Sequence, residues 1–252
     1  MSRDSTPPPL WPWLVAAAVL SLGGFLGWRA LHGEPDEEPA EEAPVAAVEA
    51  PAKEPEDVPV PSRAVSDQTL KELLAGLSSL PHWRLFLRPD DLLNRAVGAV
   101  DNLAEGKTPR EPLDHLAPKG AFAVETRGSK TLLSARATER YDGFAAAIAS
   151  IDAGLAAKAY EKLLPLLRSA YHRFGYPGRD FDTVAKKAVD NVIAVPRVGD
   201  VALISVEGAS YRFALRSQEE ASDLSKQLWR MGPLNQQKIQ TKAAELRRAL
   251  WP

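Results

Sequence analysis

The sequence predicts a mainly α (α+β) protein: a helical domain with one or two small β-hairpins, preceded by a single transmembrane helix and a disordered acidic linker. Three observations lead to this prediction. Residues 10–28 contain no charged side chain, residues 31–65 are rich in Pro, Ala and Glu, and apolar residues recur at helical spacing from Ser66 onward. We therefore expect four parts: a short tail (1–9), a membrane anchor (10–30), a linker (31–65) and a folded domain (66–252).

The uncharged run has the length and the flanking residues of a membrane span. As a helix its 19 residues would rise about 28 Å, close to the hydrocarbon thickness of a bilayer. Trp11, Trp13 and Trp28 stand at its two ends, where interfacial aromatic residues are common. A cleaved signal would end in small residues, but here the run ends at the bulky Trp28, and Arg29 follows it. We expect an uncleaved signal anchor that contacts the lipid bilayer through Leu10–Trp28.

Gly23 and Gly27 form a G-x-x-x-G pair within this span. That spacing lets two membrane helices approach closely, so self-association through the pair is one hypothesis. The simpler interpretation is a Gly-rich helix end without a partner.

The charge that follows the span indicates its orientation. Residues 33–64 hold ten acids and two bases, and an anionic cytoplasmic leaflet would repel them. We therefore expect a single-pass protein of the bacterial inner membrane with its carboxyl domain in the periplasm. With seven Pro and no aromatic residue, the linker lacks the apolar surface to fold, and it is either a passive spacer or an acidic docking strip.

Composition excludes several classes of function. The chain contains no Cys, so it has neither disulfides nor thiolate metal sites. Residues 65–252 hold 27 bases and 22 acids, a balance too weak to predict a nucleic-acid partner. The four His residues lack metal-ligand spacing, and no phosphate-binding loop or nucleophile motif occurs. The sequence therefore predicts no catalytic, cofactor-binding or metal-binding residue.

For the first half of the domain, the sequence predicts two helices, a loop and a hairpin. Ser66 is a plausible N-cap for a Leu-rich helix that stops at Pro81. A second helix should begin at Asp90 and end at Gly106, and three prolines then predict a loop to Gly120. Two short apolar runs around "TRGS" predict a small hairpin.

The second half adds further helices and a second hairpin. Helices are expected over 140–150, over 154–174 with Pro165 inside and Gly175 at the end, and over 182–195. The runs on either side of "EGAS" predict a hairpin. A helix beginning at Ser222 should break at Gly232-Pro233, before a last helix over 234–250.

Eight residues are candidates for binding a partner. Tyr171, His172 and Tyr176 end one helix, and Asp180 and Asp182 begin the next, so macrodipole and capping preferences already explain these residue types. The alternative is a binding cleft between the two helix ends. The other five candidates also lie at helix ends, where local helix chemistry is again the simpler explanation; they are Arg140, Tyr141, Asp142, Arg230 and Asn235.

Three stretches resemble a known bacterial family. "RYDGFAAAIASID", "AYEKLLPLLRSAYHRFGYP" and "KQLWRMGPLN" occur in the order and spacing of domain-of-unknown-function family 3014, and the likeness covers roughly 66–251. The chain has Leu234 where that family leads us to expect an acidic residue. The resemblance implies an envelope protein with one amino-terminal span and a soluble carboxyl domain, and it implies no reaction.

Two functions follow as hypotheses. The first is a membrane-tethered, non-enzymatic interaction or structural module of the cell envelope, whose partner is an envelope protein or a wall component. The second is an envelope hydrolase or transferase with a cleft of Tyr, His, Arg and Asp around residues 171–182. The two differ in where His172 lies relative to Asp180 and Asp182: an enzyme needs them to face one pocket.

Overall fold

The computed structural model describes residues 63–120, 122–176, 178–199, 201–206 and 210–252. The expected anchor, the pair Gly23 and Gly27, and the linker up to residue 62 lie outside these described residues. None of the described helices is long and apolar enough to cross a bilayer.

The described part of the chain is mainly helical, which confirms this part of the predicted fold class. It contains ten α-helices, which we number α1 (Arg63–Ala75), α2 (Pro81–Phe86), α3 (Leu92–Ala104), α4 (Ala135–Glu139), α5 (Asp142–Ala149), α6 (Ala153–Arg173), α7 (Phe181–Ala194), α8 (Arg216–Glu219), α9 (Asp223–Arg230) and α10 (Pro233–Leu250). A short 3₁₀ turn, Asp114–Leu116, interrupts the predicted loop between α3 and the first strand.

The two predicted hairpins are present and join into one antiparallel sheet. Its strands are β1 (Val124–Arg127), β2 (Lys130–Leu133), β3 (Ala202–Val206) and β4 (Ser210–Phe213), in the order β1-β2-β3-β4. The central pairing sets Thr131 opposite Leu203 and Leu132 opposite Ala202. This pairing unites hairpins that are far apart in the sequence, so the local strand signals did not predict it.

The start of the domain differs from the prediction. Helix α1 begins at Arg63, so Ser66 is not its N-cap but a buried residue of the helix, and residues 63–65 belong to the helix rather than to the linker. The carboxylate of Asp67 accepts the N–H of Leu93 at 2.8 Å and so caps α3 from a neighbouring helix. Pro81 does not stop a helix; it occupies the first turn of α2, where its missing N–H costs nothing.

Three hydrophobic clusters form the core of the described residues: a small one packs α2 against the start of α6, and the other two are larger. One joins α1, α3, α6 and α7, and α6 contributes Leu163, Leu167 and Tyr171 to it. The other lies between the sheet and helices α5, α9 and α10, and it includes Phe213 and Trp229. Helix α6 is therefore central, as its apolar stripe predicted, except that Leu155 in its first turn is 46% exposed.

Buried amides fix α10 against the end of α7. The amide Nε2 of Gln240 donates to the carbonyl of Val195 at 2.7 Å, and Nε2 of Gln236 donates to the carbonyl of Pro196 at 3.1 Å. The indole N–H of Trp229 donates to the same Pro196 carbonyl at 2.9 Å. These bonds satisfy carbonyls that the end of a helix leaves free, and they hold the junction between α9 and α10 in place.

Candidate functional site

The structure separates the eight candidate residues into two groups. One group combines the start of α5 with the junction of α9 and α10. The other lies at the carboxyl end of α6. The first group comprises Arg140, Tyr141, Asp142, Arg230 and Asn235, and the second comprises Tyr171, His172 and Tyr176.

A close backbone approach brings the two segments of the first group together. Gly232 has φ 84° and ψ 159°, a conformation that is almost exclusive to glycine. A β-carbon at this position would lie 2.7 Å from Cγ2 of Thr138. The α4–α5 junction therefore packs directly on the break between α9 and α10, and only a glycine leaves room for this contact.

The side chain of Asn235 stabilises this contact through hydrogen bonds. This side chain is buried, and Nδ2 lies within hydrogen-bond distance of Oδ1 of Asp142 (2.8 Å) and of the carbonyls of Thr138 (3.1 Å) and Met231 (3.1 Å). Asp142 stands in the first turn of α5, where a carboxylate is favoured by the helix dipole. These two candidates therefore serve the packing of the chain.

Arg140 extends its guanidinium over a neighbouring ring. Its Cζ lies 5.4 Å from the ring centroid of Tyr141, and Nη1 donates to the carbonyl of Gly120 at 3.0 Å. A long contact of 3.5 Å joins Nη2 to the Tyr141 hydroxyl. The Nε atom is buried and has no hydrogen-bond partner among the described residues. The fold thus leaves part of the donor capacity of this guanidinium unused.

Arg230 is half-buried and, within the described chain, has no carboxylate partner. Its Cζ lies 5.0 Å from the ring centroid of Phe213, a cation–π contact. Burial lowers the pKa of Arg230, and the positive charge of Arg110 lowers it further. Glu219, Asp223 and the hydroxyl of Tyr141 oppose this shift without cancelling it. A desolvated cation without an ion-pair partner is costly to maintain.

The second group is built around a buried tyrosine. Tyr171 is fully buried, and its hydroxyl donates to Oδ1 of Asp101 at 2.9 Å. Its ring stacks on that of Tyr176 at 5.1 Å, and the guanidinium of Arg179 lies over Tyr176 at 5.0 Å. Burial, and then the bond to Asp101, raise the pKa of Tyr171. This cluster joins α3 to the end of α6, and its two tyrosine rings pack in the hydrophobic cluster of α1, α3, α6 and α7.

The remaining polar residues of the segment 171–182 do not meet in a cleft. His172 is exposed at the end of α6. Asp180 accepts the N–H of Thr183 at 3.2 Å, which caps α7, and it pairs with Arg168 at 2.9 Å. Asp182 accepts the hydroxyl of Tyr160 at 2.8 Å and the indole N–H of Trp251 at 3.0 Å. Both carboxylates, of Asp180 and Asp182, are therefore engaged in helix capping or in contacts within the domain.

Two depressions of the described surface flank the end of α7, away from the candidates. They have volumes of about 510 Å³ and 410 Å³, and both are lined by Ala194, Val195 and Pro196. None of the eight candidate residues lines either of them. Within the described ranges no group of three or more His, Asp or Glu residues could hold a metal ion.

Several residues that complete these groups were not anticipated. Asp101 and Arg179 contact the second group, and Arg110, Thr138 and Phe213 surround the first. Arg110 stands in a Pro-rich loop and Phe213 in a strand, and neither position carries a local signal. The stop-and-restart pattern at Gly232-Pro233 was visible in the sequence, but the element that packs against it was not.

The raised tyrosine pKa values lead to a prediction about alkaline unfolding. Burial, followed by the bond to Asp182, raises the pKa of Tyr160, as burial does for Tyr171. The unfolded chain releases these protons near pH ~10, before the folded chain does. The free energy of unfolding should therefore be fully retained below about pH 10 and fall as the pH rises beyond it.

Urea titrations at neutral and alkaline pH measure this dependence. Tyr160→Phe and Tyr171→Phe should each make the alkaline fall shallower. Leu167→Ala is the control, since it should lower the free energy of unfolding equally at both pH values. An unchanged pH dependence in the doubly substituted protein would rule out this assignment.

The comparisons with known proteins identify a family. A model described as a protein of unknown function (DUF3014) matches residues 92–247. The matched range runs from the start of α3 into the last turn of α10, and it contains all eight candidates and the three stretches that carry the resemblance; α1 and α2 precede it. No curated protein and no solved structure matches the chain. Since the family model covers more than half of the sequence, the chain belongs to the DUF3014 family.

Proposed function

We propose that this protein is a membrane-tethered, non-enzymatic interaction module of the bacterial cell envelope. The observation that carries the proposal is the use of the polar residues around 171–182. Asp180 caps a helix, Asp182 binds two aromatic side chains, and Tyr171 is buried against Asp101. Groups that are engaged in this way hold the domain together and are poorly placed to act on a substrate.

An envelope hydrolase or transferase would need a different arrangement. His172 would have to lie within hydrogen-bond reach of a carboxylate and of a substrate bound in a pocket. Instead, His172 is exposed and has no bond to Asp180 or Asp182, and neither depression described above includes it. This geometry favours the interaction module over the hydrolase or transferase.

The tether is proposed from the sequence. The uncharged run Leu10–Trp28 has the length of a membrane span, and the acidic segment 33–64 has the composition of an extended linker. Together they would hold the helical domain at a distance from the inner membrane, on its periplasmic side, where it would reach an envelope protein or a wall component.

The location has a direct test. After carbonate extraction the full-length protein should remain with the membrane fraction, because a spanning helix is not released by high pH. In spheroplasts, externally added protease should digest the domain, while a cytoplasmic marker stays intact. Release by carbonate, or protection of the domain in intact spheroplasts, would contradict the proposed tether and its orientation.

The interaction has a separate test. Chemical cross-linking of intact cells, followed by denaturing purification of the protein, should recover a discrete partner. His172→Ala should recover the same partner in the same amount, since the proposal gives this side chain no chemical role. Failure to recover any partner, together with a growth or envelope defect caused by His172→Ala alone, would favour the enzyme.

A further inference from the structure

Two arginines near the α9–α10 junction have hydrogen-bond donors or charge that no described residue satisfies. Arg230 is half-buried over the ring of Phe213 and has no ion pair within the described chain. Arg140 lies over the ring of Tyr141, and its buried Nε has no partner among the described residues. A charge that is removed from water without a counter-charge destabilises a protein, and a buried donor without a partner does so too, so a binding role accounts for the retention of Arg230 and Arg140.

Tyr141 links the two guanidinium groups: its hydroxyl lies 3.5 Å from Nη2 of Arg140, and it also acts electrostatically on Arg230. The rings that support them, Tyr141 and Phe213, pack in the same hydrophobic cluster. The contact of Thr138 with Gly232 fixes the segment that carries Arg140 against the helix junction that follows Arg230. Both cations therefore have rigid supports, which is what preorganised recognition of a ligand requires.

The carboxylates nearby are already engaged. Asp142 accepts from Asn235, Glu219 accepts the backbone N–H of Phe213 at 2.9 Å, and Asp223 pairs with Lys226 at 3.3 Å. None of the three forms an ion pair with either arginine. The charges that act on Arg230 come from one cation, Arg110, and from two carboxylates, Glu219 and Asp223.

We propose that Arg140 and Arg230, together with the hydroxyl of Tyr141, bind a carboxylate group of the partner protein. Because two carboxylates already act on Arg230, a singly charged carboxylate suits the site better than a dianionic phosphate. A guanidinium presents parallel N–H donors that match the two oxygens of a carboxylate, and partial burial strengthens the attraction. The identification of the carboxylate with a protein partner rests on the proposed function, whereas the binding of a carboxylate does not.

Thermal unfolding of the full-length protein in detergent micelles tests the site with acetate as the probe. Sodium acetate should raise the unfolding midpoint more than sodium chloride does at the same ionic strength, because it binds only the folded state. Arg230→Met and Arg140→Met should each weaken the apparent affinity for acetate by roughly tenfold or more. Arg216→Met is the matched control; its side chain is exposed and pairs with Glu220, so it should leave the response to acetate unchanged.

The midpoint without acetate separates binding from a purely structural role. If Arg230 is kept for binding, Arg230→Met should leave the midpoint unchanged or raise it, since methionine packs against Phe213 without a desolvated charge. A lowered midpoint, combined with an unchanged response to acetate, would overturn the proposal. An acetate response in wild type that survives both substitutions would overturn it as well.

Further probes distinguish the source of the anion. N-acetyl-triglycine with a free carboxylate should act as acetate does, and its amide should have no effect. A larger effect of inorganic phosphate than of acetate would overturn the choice of carboxylate. If acetate binds as expected but cells yield no cross-linked partner, the carboxylate site is supported and the proposed function fails. If Arg230→Met still cross-links to the partner, the proposed function is supported and the role of the site in binding that partner fails.

Discussion

Leu163→Ala should lower the free energy of unfolding by about 2–5 kcal/mol, a large share of the roughly 5–15 kcal/mol that stabilises a typical domain. Leu163 is 3% exposed and lies in the cluster that joins α1, α3, α6 and α7. Truncation leaves a cavity there, because neighbouring helices hold the surrounding side chains in place. Leu167→Ala should have a similar effect, since Leu167 is 7% exposed in the same cluster.

Urea unfolding compares these variants with matched changes on the same helix. Leu155→Ala makes the same substitution at a position that is 46% exposed, and its effect should be much smaller. His172→Ala should also have little effect, because its side chain is exposed. A loss from Leu155→Ala or His172→Ala as large as that from Leu163→Ala would contradict the central position of α6.

Gly232→Ala should have the second large effect. The backbone angles of Gly232, φ 84° and ψ 159°, cost a residue with a β-carbon about 1–3 kcal/mol. The added methyl group would also collide with Thr138, which must move before the α4–α5 junction can pack on α10. The free energy of unfolding should therefore fall by more than the cost of the backbone conformation alone. The hydrogen bonds of Asn235 should weaken as well.

Gly128→Ala separates the two contributions. Gly128 also has a positive φ, 61°, but nothing lies within 4 Å of a β-carbon built there. Its substitution should cost only the ~1–2 kcal/mol of a left-handed conformation. Equal losses at both positions in urea melts would show that the contact between Gly232 and Thr138 contributes nothing.

The helices and turns that the sequence predicted correctly are those whose ends are set by residues next to them in the chain. Ser222 caps α9 as expected, accepting the N–H of Ser225, and Gly232-Pro233 separates α9 from α10. The errors at Ser66 and Pro81 arose because each residue type has two roles. A serine also fits inside a buried helix, and a proline starts a helix as readily as it ends one. The short helices α4 and α8 lack a full apolar period and were missed.

The candidate site was predicted only in fragments. Arg140–Asp142 and Arg230–Asn235 were each recognised from helix-end chemistry, in segments about ninety residues apart. Their contact depends on the packing of α5 and α10, which no spacing along the chain encodes. The same holds for the joined sheet, whose central pairing links β2 to β3. Non-local packing thus decides which residues meet, and local patterns decide only which residues are available.

Site-specific photo-cross-linking in intact cells is the most direct test of an interaction module that binds through this surface. Leu234 is 73% exposed and lies between Arg230 and Asn235 on the chain, whereas Leu155 is exposed in the first turn of α6. A photoreactive residue at position 234 of the full-length protein should yield a discrete cross-linked species, which Arg230→Met removes. The same residue at position 155 should yield none. Absence of a product from position 234, or equal products from both positions, would contradict the account.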